Sequence, residues 1–284
     1  MTALYTPDPN QKEPVNQKQG LLQPLKNLFI SVYKRKIIKN YRALDAKPKF
    51  LLINATGRSG TSMMTYVLCS NPTISGFGES HTIYNRMTDF ENHLAEVYWQ
   101  QRSQRVQEKY VLDKVVYNRN LPDMDLLSSL DVKWVFILRH PLDTIASMKK
   151  YVQCTEAVAV EHYLERLERL QQDAQFTNPA DSIFITYESV TAATEETFQA
   201  LSKFLELEQP LQQEYELPKA ADDWRYSDQS SNLHSRKVTH KTNSYDLKLE
   251  AHHEQLVWGE YNRTVEVFQQ YCTVPDIVKK HFIS

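Results

Sequence analysis

This 284-residue sequence predicts an α/β fold of three layers, with a central parallel sheet flanked by helices. Three observations predict it. From residue 49 onward, short apolar runs alternate with amphipathic helical patterns. The first run, over 50–55, is apolar and bounded by turn residues, which suits a strand buried on both faces. That run then leads through a glycine-containing turn into a helical pattern, the strand–loop–helix unit of a parallel sheet.

Taken in order, the first twenty residues (MTALYTPDPNQKEPVNQKQG) are polar and rich in Pro and Gln. They lack the apolar stretch of a secretory signal and read as a disordered tail over 1–20. A basic amphipathic helix is expected over 21–48. Leu21, Leu22, Leu25, Leu28, Phe29 and Val32 recur at helical spacing, and Lys26, Lys34, Arg35, Lys36, Lys39 and Arg42 fill much of the remainder. Two readings stay open for it: peripheral docking on an anionic membrane surface through 21–44, or packing on the main domain with a solvated basic face. Residues 49–284 are expected to form one domain. Its strands are predicted at 50–55, 110–113, 134–138 and 183–187. Its helices are predicted at 61–69, 141–151, 156–176, 195–205 and 250–271, with mostly loop over 207–248. The helix at 141 opens with Pro141 in its first position and Asp143 in its first turn, where both are favoured.

Composition narrows the function. Lys and Arg number 33 and Asp and Glu 35, so the formal charge is −2. That near-neutral total argues against general nucleic-acid binding but leaves room for one local anion site. Mean hydropathy is −0.54, and no run approaches the roughly 18 apolar residues a membrane span needs. Cys69, Cys154 and Cys272 are an odd count without a CxxC pair, which speaks against a disulfide framework and against a cysteine zinc site. A cytoplasmic protein is expected, with the sequons at Asn54 and Asn262 arising by chance.

The most informative segment is Asn54-Ala55-Thr56-Gly57-Arg58-Ser59-Gly60-Thr61-Ser62. It follows a predicted strand and opens a predicted helix, where free backbone N–H groups and the helix dipole favour an anion. Gly57 and Gly60 allow a tight turn that aims those groups inward. Thr61 and Ser62 add hydroxyls, and Arg58 adds a planar cation suited to phosphate or sulfate oxygens. The loop is P-loop-like without being a Walker A sequence, since Gly60 stands where that pattern has Lys. A second anion clamp is expected from Arg139, at the carboxyl end of the strand over 134–138, and Ser147 on the next helix. Taken singly, each of these residues also has a purely structural reading.

Together these residues resemble the sulfotransferase superfamily, enzymes that use 3′-phosphoadenosine 5′-phosphosulfate (PAPS). Gly57 to Ser62 looks like the family's 5′-phosphosulfate loop, and Arg139 with Ser147, eight residues apart, like its 3′-phosphate clamp. Tyr187-Glu188 resembles the family's segment near the adenine. The likeness is nearest to the branch holding tyrosylprotein and related bacterial-type sulfotransferases. That branch has a Gly-Glu pair 21 residues after the loop Arg and a Lys 25 residues before the clamp Arg. Gly78-Glu79 and Lys114 stand at those spacings here. The loop over 230–244 matches the branch's cofactor-closing segment only loosely, so Lys237 and Lys241 receive no role.

The resemblance implies sulfuryl transfer from PAPS to a hydroxyl or amine acceptor, leaving adenosine 3′,5′-bisphosphate (PAP). Glu79 would be the general base, with His81 as the alternative. Arg58 and Lys114 would stabilise charge. Arg58, Ser59, Gly60, Thr61, Ser62, Arg139, Ser147 and Tyr187 would bind the cofactor, without a metal. The acceptor is not legible. Tyr84, Tyr98, Trp99 and Trp224 are candidates for its pocket and equally for the core. Two other functions remain open on the residues alone. One is a P-loop kinase, which Gly60 in place of Lys disfavours. The other is a non-catalytic PAP-binding protein, which the joint presence of Glu79, Lys114 and the anion clamps disfavours.

Overall fold

Five short strands with apolar side chains on both faces assemble into one parallel sheet. In the computed structural model, which describes residues 23–76, 78–118, 123–128, 130–217, 235–239 and 247–282, they are β1 (Lys49–Ala55), β2 (Ile74–Ser75), β3 (Tyr110–Val115), β4 (Val132–Leu138) and β5 (Ser182–Thr186). Their order is β2-β3-β1-β4-β5, with β1 in the middle and parallel to both neighbours. Because side chains alternate along a strand, each strand feeds two cores. Phe50 and Leu52 of β1 join Trp134, Phe136 and Phe184 on one face. Leu51, Ile53 and Ala55 join Val135, Ile137 and Ile185 on the other.

Helices cover both faces. The first core is closed by α1 (Gln23–Arg42), α3 (Met87–Gln100), α6 (Glu156–Gln175) and α9 (Ala251–Tyr271). The second is closed by α2 (Thr61–Cys69), α8 (Thr194–Phe204) and α10 (Asp276–Lys279). Three further helices complete the described residues: α4 (Met124–Ser128), α5 (Pro141–Val152) and α7 (Tyr187–Ala192). Among the described residues no helix is long and apolar enough to cross a membrane.

From residue 49 onward the predicted elements recur within one or two residues, with informative exceptions, whereas α1 ends at Arg42, short of the expected 48. Tyr187 leaves the strand and opens α7, because Thr186 caps that helix: its Oγ1 accepts from the Ser189 backbone N–H at 3.1 Å. Helix α3 went unpredicted, although Asp89 accepts from the Arg86 backbone N–H at 2.8 Å in its first turn. β2 has two residues, too few for any period. Tyr84 and Tyr98 are fully buried core residues, and Trp99 packs edge-on against Tyr33 of α1. Of these, Tyr84 and Tyr98 follow the core reading. The expected tail over 1–20, Trp224 and Lys241 lie outside the described residues, as does much of 207–248.

Helix α1 packs through a face other than the one its apolar periodicity marked. Ile37 and Tyr41 are buried in the first core. Arg42 clasps Glu91 of α3 through two hydrogen bonds of 2.6 and 2.5 Å, and Lys34 pairs with Glu96.

Candidate active site

The loop between β1 and α2 sits at the carboxyl end of the central strand, beside β4, where open α/β sheets collect ligands. Ser59 Oγ donates to the Thr56 carbonyl at 2.6 Å and closes the turn. Gly60 is the N-cap of α2, with φ 83° and no side chain to satisfy the first N–H groups of the helix. Those donors stand where Thr61 and Ser62 are already buried. A Cβ on Gly60 would fall 2.6 Å from Cδ2 of Tyr187. Gly57 does not share this role. The second left-handed position of the turn belongs to Arg58, at φ 68°. Gly60→Ala should therefore lose about 1–3 kcal/mol of stability from left-handed strain and the clash. An unchanged urea midpoint would contradict that.

Three cations converge here. Arg58 Nε donates to Ser147 Oγ at 3.1 Å, and its guanidinium lies over the Tyr151 ring at 4.7 Å. Arg139 donates to the Arg58 carbonyl at 3.2 Å and lies over the Tyr187 ring at 4.6 Å. Its Nε is buried without a hydrogen-bond partner. Ser147 of the expected 3′-phosphate clamp meets Arg58 of the loop, so Arg58, Arg139 and Ser147 form one continuous cluster. The third cation, Lys114 on β3, donates from Nζ to Ser62 Oγ at 3.0 Å.

Glu79 completes the arrangement. It is buried, with Oε2 3.8 Å from Lys114 Nζ. Oε1 makes no hydrogen bond, although His81 Nδ1 lies 3.3 Å away. Residues far apart in sequence thereby place a carboxylate, an ammonium and an uncapped helix N-terminus side by side.

Sequence reasoning missed what holds them there. Asp113, beside Lys114 in β3, accepts from the Ser80 backbone N–H at 3.0 Å and from Tyr84 Oη at 2.6 Å. It anchors the segment that carries Glu79. Arg166 of α6 donates to the carbonyls of Ala55 at 2.9 Å and Val115 at 2.8 Å, and to the side chain of Asn54. It clamps the carboxyl ends of β1 and β3 together. Burial pulls its pKa down to about 10, against the pull of Asp173. The signal was present in the sequence. Arg166 falls in the apolar register of α6 with Tyr163, Leu167 and Leu170, and a cation in that register needs acceptors. Asn54 is fully buried, its Nδ2 donating to Asp173 at 2.9 Å.

Behind Arg139, Glu188 Oε1 accepts from the His140 backbone N–H at 2.9 Å. Burial raises the Glu188 carboxyl above its ordinary 4.5, against that hydrogen bond. The folded protein therefore binds more protons than the unfolded chain from pH 4.5 up to the raised value, and stability falls as pH rises through that window. Glu188→Gln lacks this loss. Its melting temperature relative to the parent should climb between pH 4.5 and 7, and a falling difference would place the carboxyl below its ordinary value instead.

Three solved structures share this architecture. The sulfotransferase domain from the curacin biosynthetic pathway is 15% identical, with a TM-score of 0.53 over 80% of this chain and 99% of that one. The sulfotransferase domain of the Synechococcus PCC 7002 olefin synthase is 13% identical, with a TM-score of 0.51 over 78% and 96%. Mouse sulfotransferase SULT7A1, solved with PAP, is 14% identical, with a TM-score of 0.50 over 83% and 90%. This chain has the sulfotransferase fold. No protein-family model matches the sequence, and neither does any curated protein. In this sulfotransferase fold the candidate residues gather at the carboxyl ends of β1, β3 and β4. A cleft of about 400 Å³ lined by Leu164, Gln171 and Glu260 lies elsewhere, between α6 and α9, and includes none of them.

Proposed function

We propose that the chain transfers a sulfuryl group from PAPS to an acceptor hydroxyl, with Glu79 as general base. The observation that carries this reading is Lys114 standing between Glu79 and the N-terminus of α2, 3.8 Å from Glu79 Oε2 and 3.0 Å from Ser62 Oγ. The residues fit the cofactor by the chemistry of their donors. The uncapped N–H groups of 59–62 and the guanidinium of Arg58 would hold the 5′-phosphosulfate. The unpartnered Arg139 Nε and the Ser147 hydroxyl would take the 3′-phosphate, and the Tyr187 ring would lie by the adenine. Bound there, PAPS supplies an activated sulfuryl group.

The chain's own residues do the rest. Glu79 takes the proton from the acceptor oxygen, in the range of about 10² to 10⁴ that a positioned base contributes to rate. Lys114 and Arg58 place positive charge where negative charge develops, as in phosphoryl transfer, where positioning and electrostatics dominate. The likeness to the tyrosylprotein and bacterial-type branch rests on Glu79 and Lys114, and supports this division of labour.

PAP and AMP test the reading without an acceptor. At about 100 times its Kd a ligand stabilises the fold by about 2.7 kcal/mol, so PAP should raise the melting temperature by several degrees. AMP, which lacks the 3′-phosphate, should raise it far less. Equal shifts would remove Arg139 and Ser147 from cofactor binding. A screen of hydroxyl and amine acceptors with labelled PAPS then reads the transfer itself.

A further inference from the structure

Helix α1 carries two faces with different fates. The face toward the protein holds Ile37 and Tyr41, both buried, together with the half-buried Tyr33 and Ile38. The opposite face starts with Leu25, Leu28, Phe29 and Val32, which are 64%, 62%, 62% and 55% exposed, with Phe29 at its edge, its ring edge-on to Trp99 of α3 at 6.1 Å. Their spacing of three and four residues stacks them in one stripe. At about 100° per residue, Arg35, Lys36 and Lys39 continue that same face along the axis, and all three are exposed. The outward side of α1 is therefore apolar in its first half and basic in its second. The helix contains no Asp or Glu, in a chain whose total charge is −2.

We infer that this face docks the protein on an anionic lipid surface, the apolar stripe entering the headgroup boundary and the basic half meeting lipid phosphates and carboxylates. The argument for this occupant is charge and size. A helix that lies in the membrane interface needs an apolar face and a strongly basic polar one. A stable protein partner would need roughly 20–30 residues on this side, whereas the stripe holds four side chains over about 10 Å. The core-facing contacts of α1 fix the stripe's direction, since Lys34 and Arg42 are already engaged by Glu96 and Glu91. The inference stands independently of the chemistry proposed for the active site.

Vesicle sedimentation of the full chain tests it. Vesicles of phosphatidylcholine with phosphatidylserine should retain the protein, phosphatidylcholine alone should not, and added salt should weaken the retention. Each basic residue near such a surface contributes about 1 kcal/mol, or about fivefold in partitioning, so the triple variant Arg35→Gln, Lys36→Gln, Lys39→Gln should lose about a hundredfold. Leu25→Ser with Leu28→Ser should lose retention at every salt concentration. All five positions are at the surface, so unchanged melting curves are expected for both variants. Three results would overturn the proposal. One is equal retention on neutral vesicles. Another is no retention together with a concentration-dependent dimer that the serine variant dissolves, which would make a second copy the occupant. The last is retention that arises only when residues 1–22 are removed, which would make that segment the cover.

Discussion

Glu79→Gln is expected to lower turnover by about 10²- to 10⁴-fold, the contribution of a positioned general base. The substitution keeps the shape of the side chain and removes its ability to take a proton. Because the proposed mechanism puts Glu79, 3.8 Å from Lys114 and beside His81, on the acceptor side, PAP affinity should stay within a few-fold of the parent. Two neighbours separate the roles. Arg58→Ala should lose PAP affinity and turnover together, since its guanidinium, bonded to Ser147, is proposed to hold the cofactor's anionic groups. Lys114→Ala should lose turnover chiefly, if its charge counts most as the bond breaks. Initial rates with labelled PAPS, read beside PAP titrations, decide the matter. Normal turnover in Glu79→Gln would hand the base role to His81, and normal turnover in all three variants would reject the site.

Arg166→Met should cost about 3–5 kcal/mol of folding stability, the usual penalty for breaking a buried ionic network by removing one partner. Arg166 donates to the carbonyls of Ala55 and Val115 and to Asn54 and Asn118, while Asp173 holds the other side of Asn54. Methionine fills much of the volume and satisfies none of those acceptors. The loss also loosens the strand ends that set the start of α2 against Lys114, so PAP affinity should fall with stability. Urea denaturation reads the first effect and a PAP titration the second. A variant within 1 kcal/mol of the parent would show that water replaces the guanidinium, as happens where a buried polar site is roomy enough.

Much of this was legible beforehand because it is local. The run over 50–55, the glycine turn and the helix over 61–69 follow from periodicity and turn chemistry, and the structure returns β1 and α2 with one residue of difference. Helix α3 escaped because Glu91 and His93 stand on its buried side. Glu91 binds Arg42 and His93 binds the Leu112 carbonyl at 3.1 Å, so polar residues interrupt the apolar period that would have marked it. The residues of the site were legible as types at suggestive spacings. Their partners were not, since the Arg58–Ser147 contact spans 89 residues and that of Lys114 with Ser62 spans 52.

Sequence alone determined the layered α/β fold, the anion-seeking turn at the start of α2, and the set of cations and the carboxylate that could serve it. These depend on hydrophobic period, on glycine's tolerance of positive φ and on the open N–H groups of a helix start, all properties of neighbouring residues. Only the tertiary structure decided that Ser147 meets Arg58, that Arg166 and Asp113 hold the site from behind, and that α1 turns Ile37 inward and Leu28 outward. Each of those outcomes depends on which strand lies next to which and which helix face meets the sheet. That is settled by packing between distant segments, and no short window of sequence contains both sides of the contact.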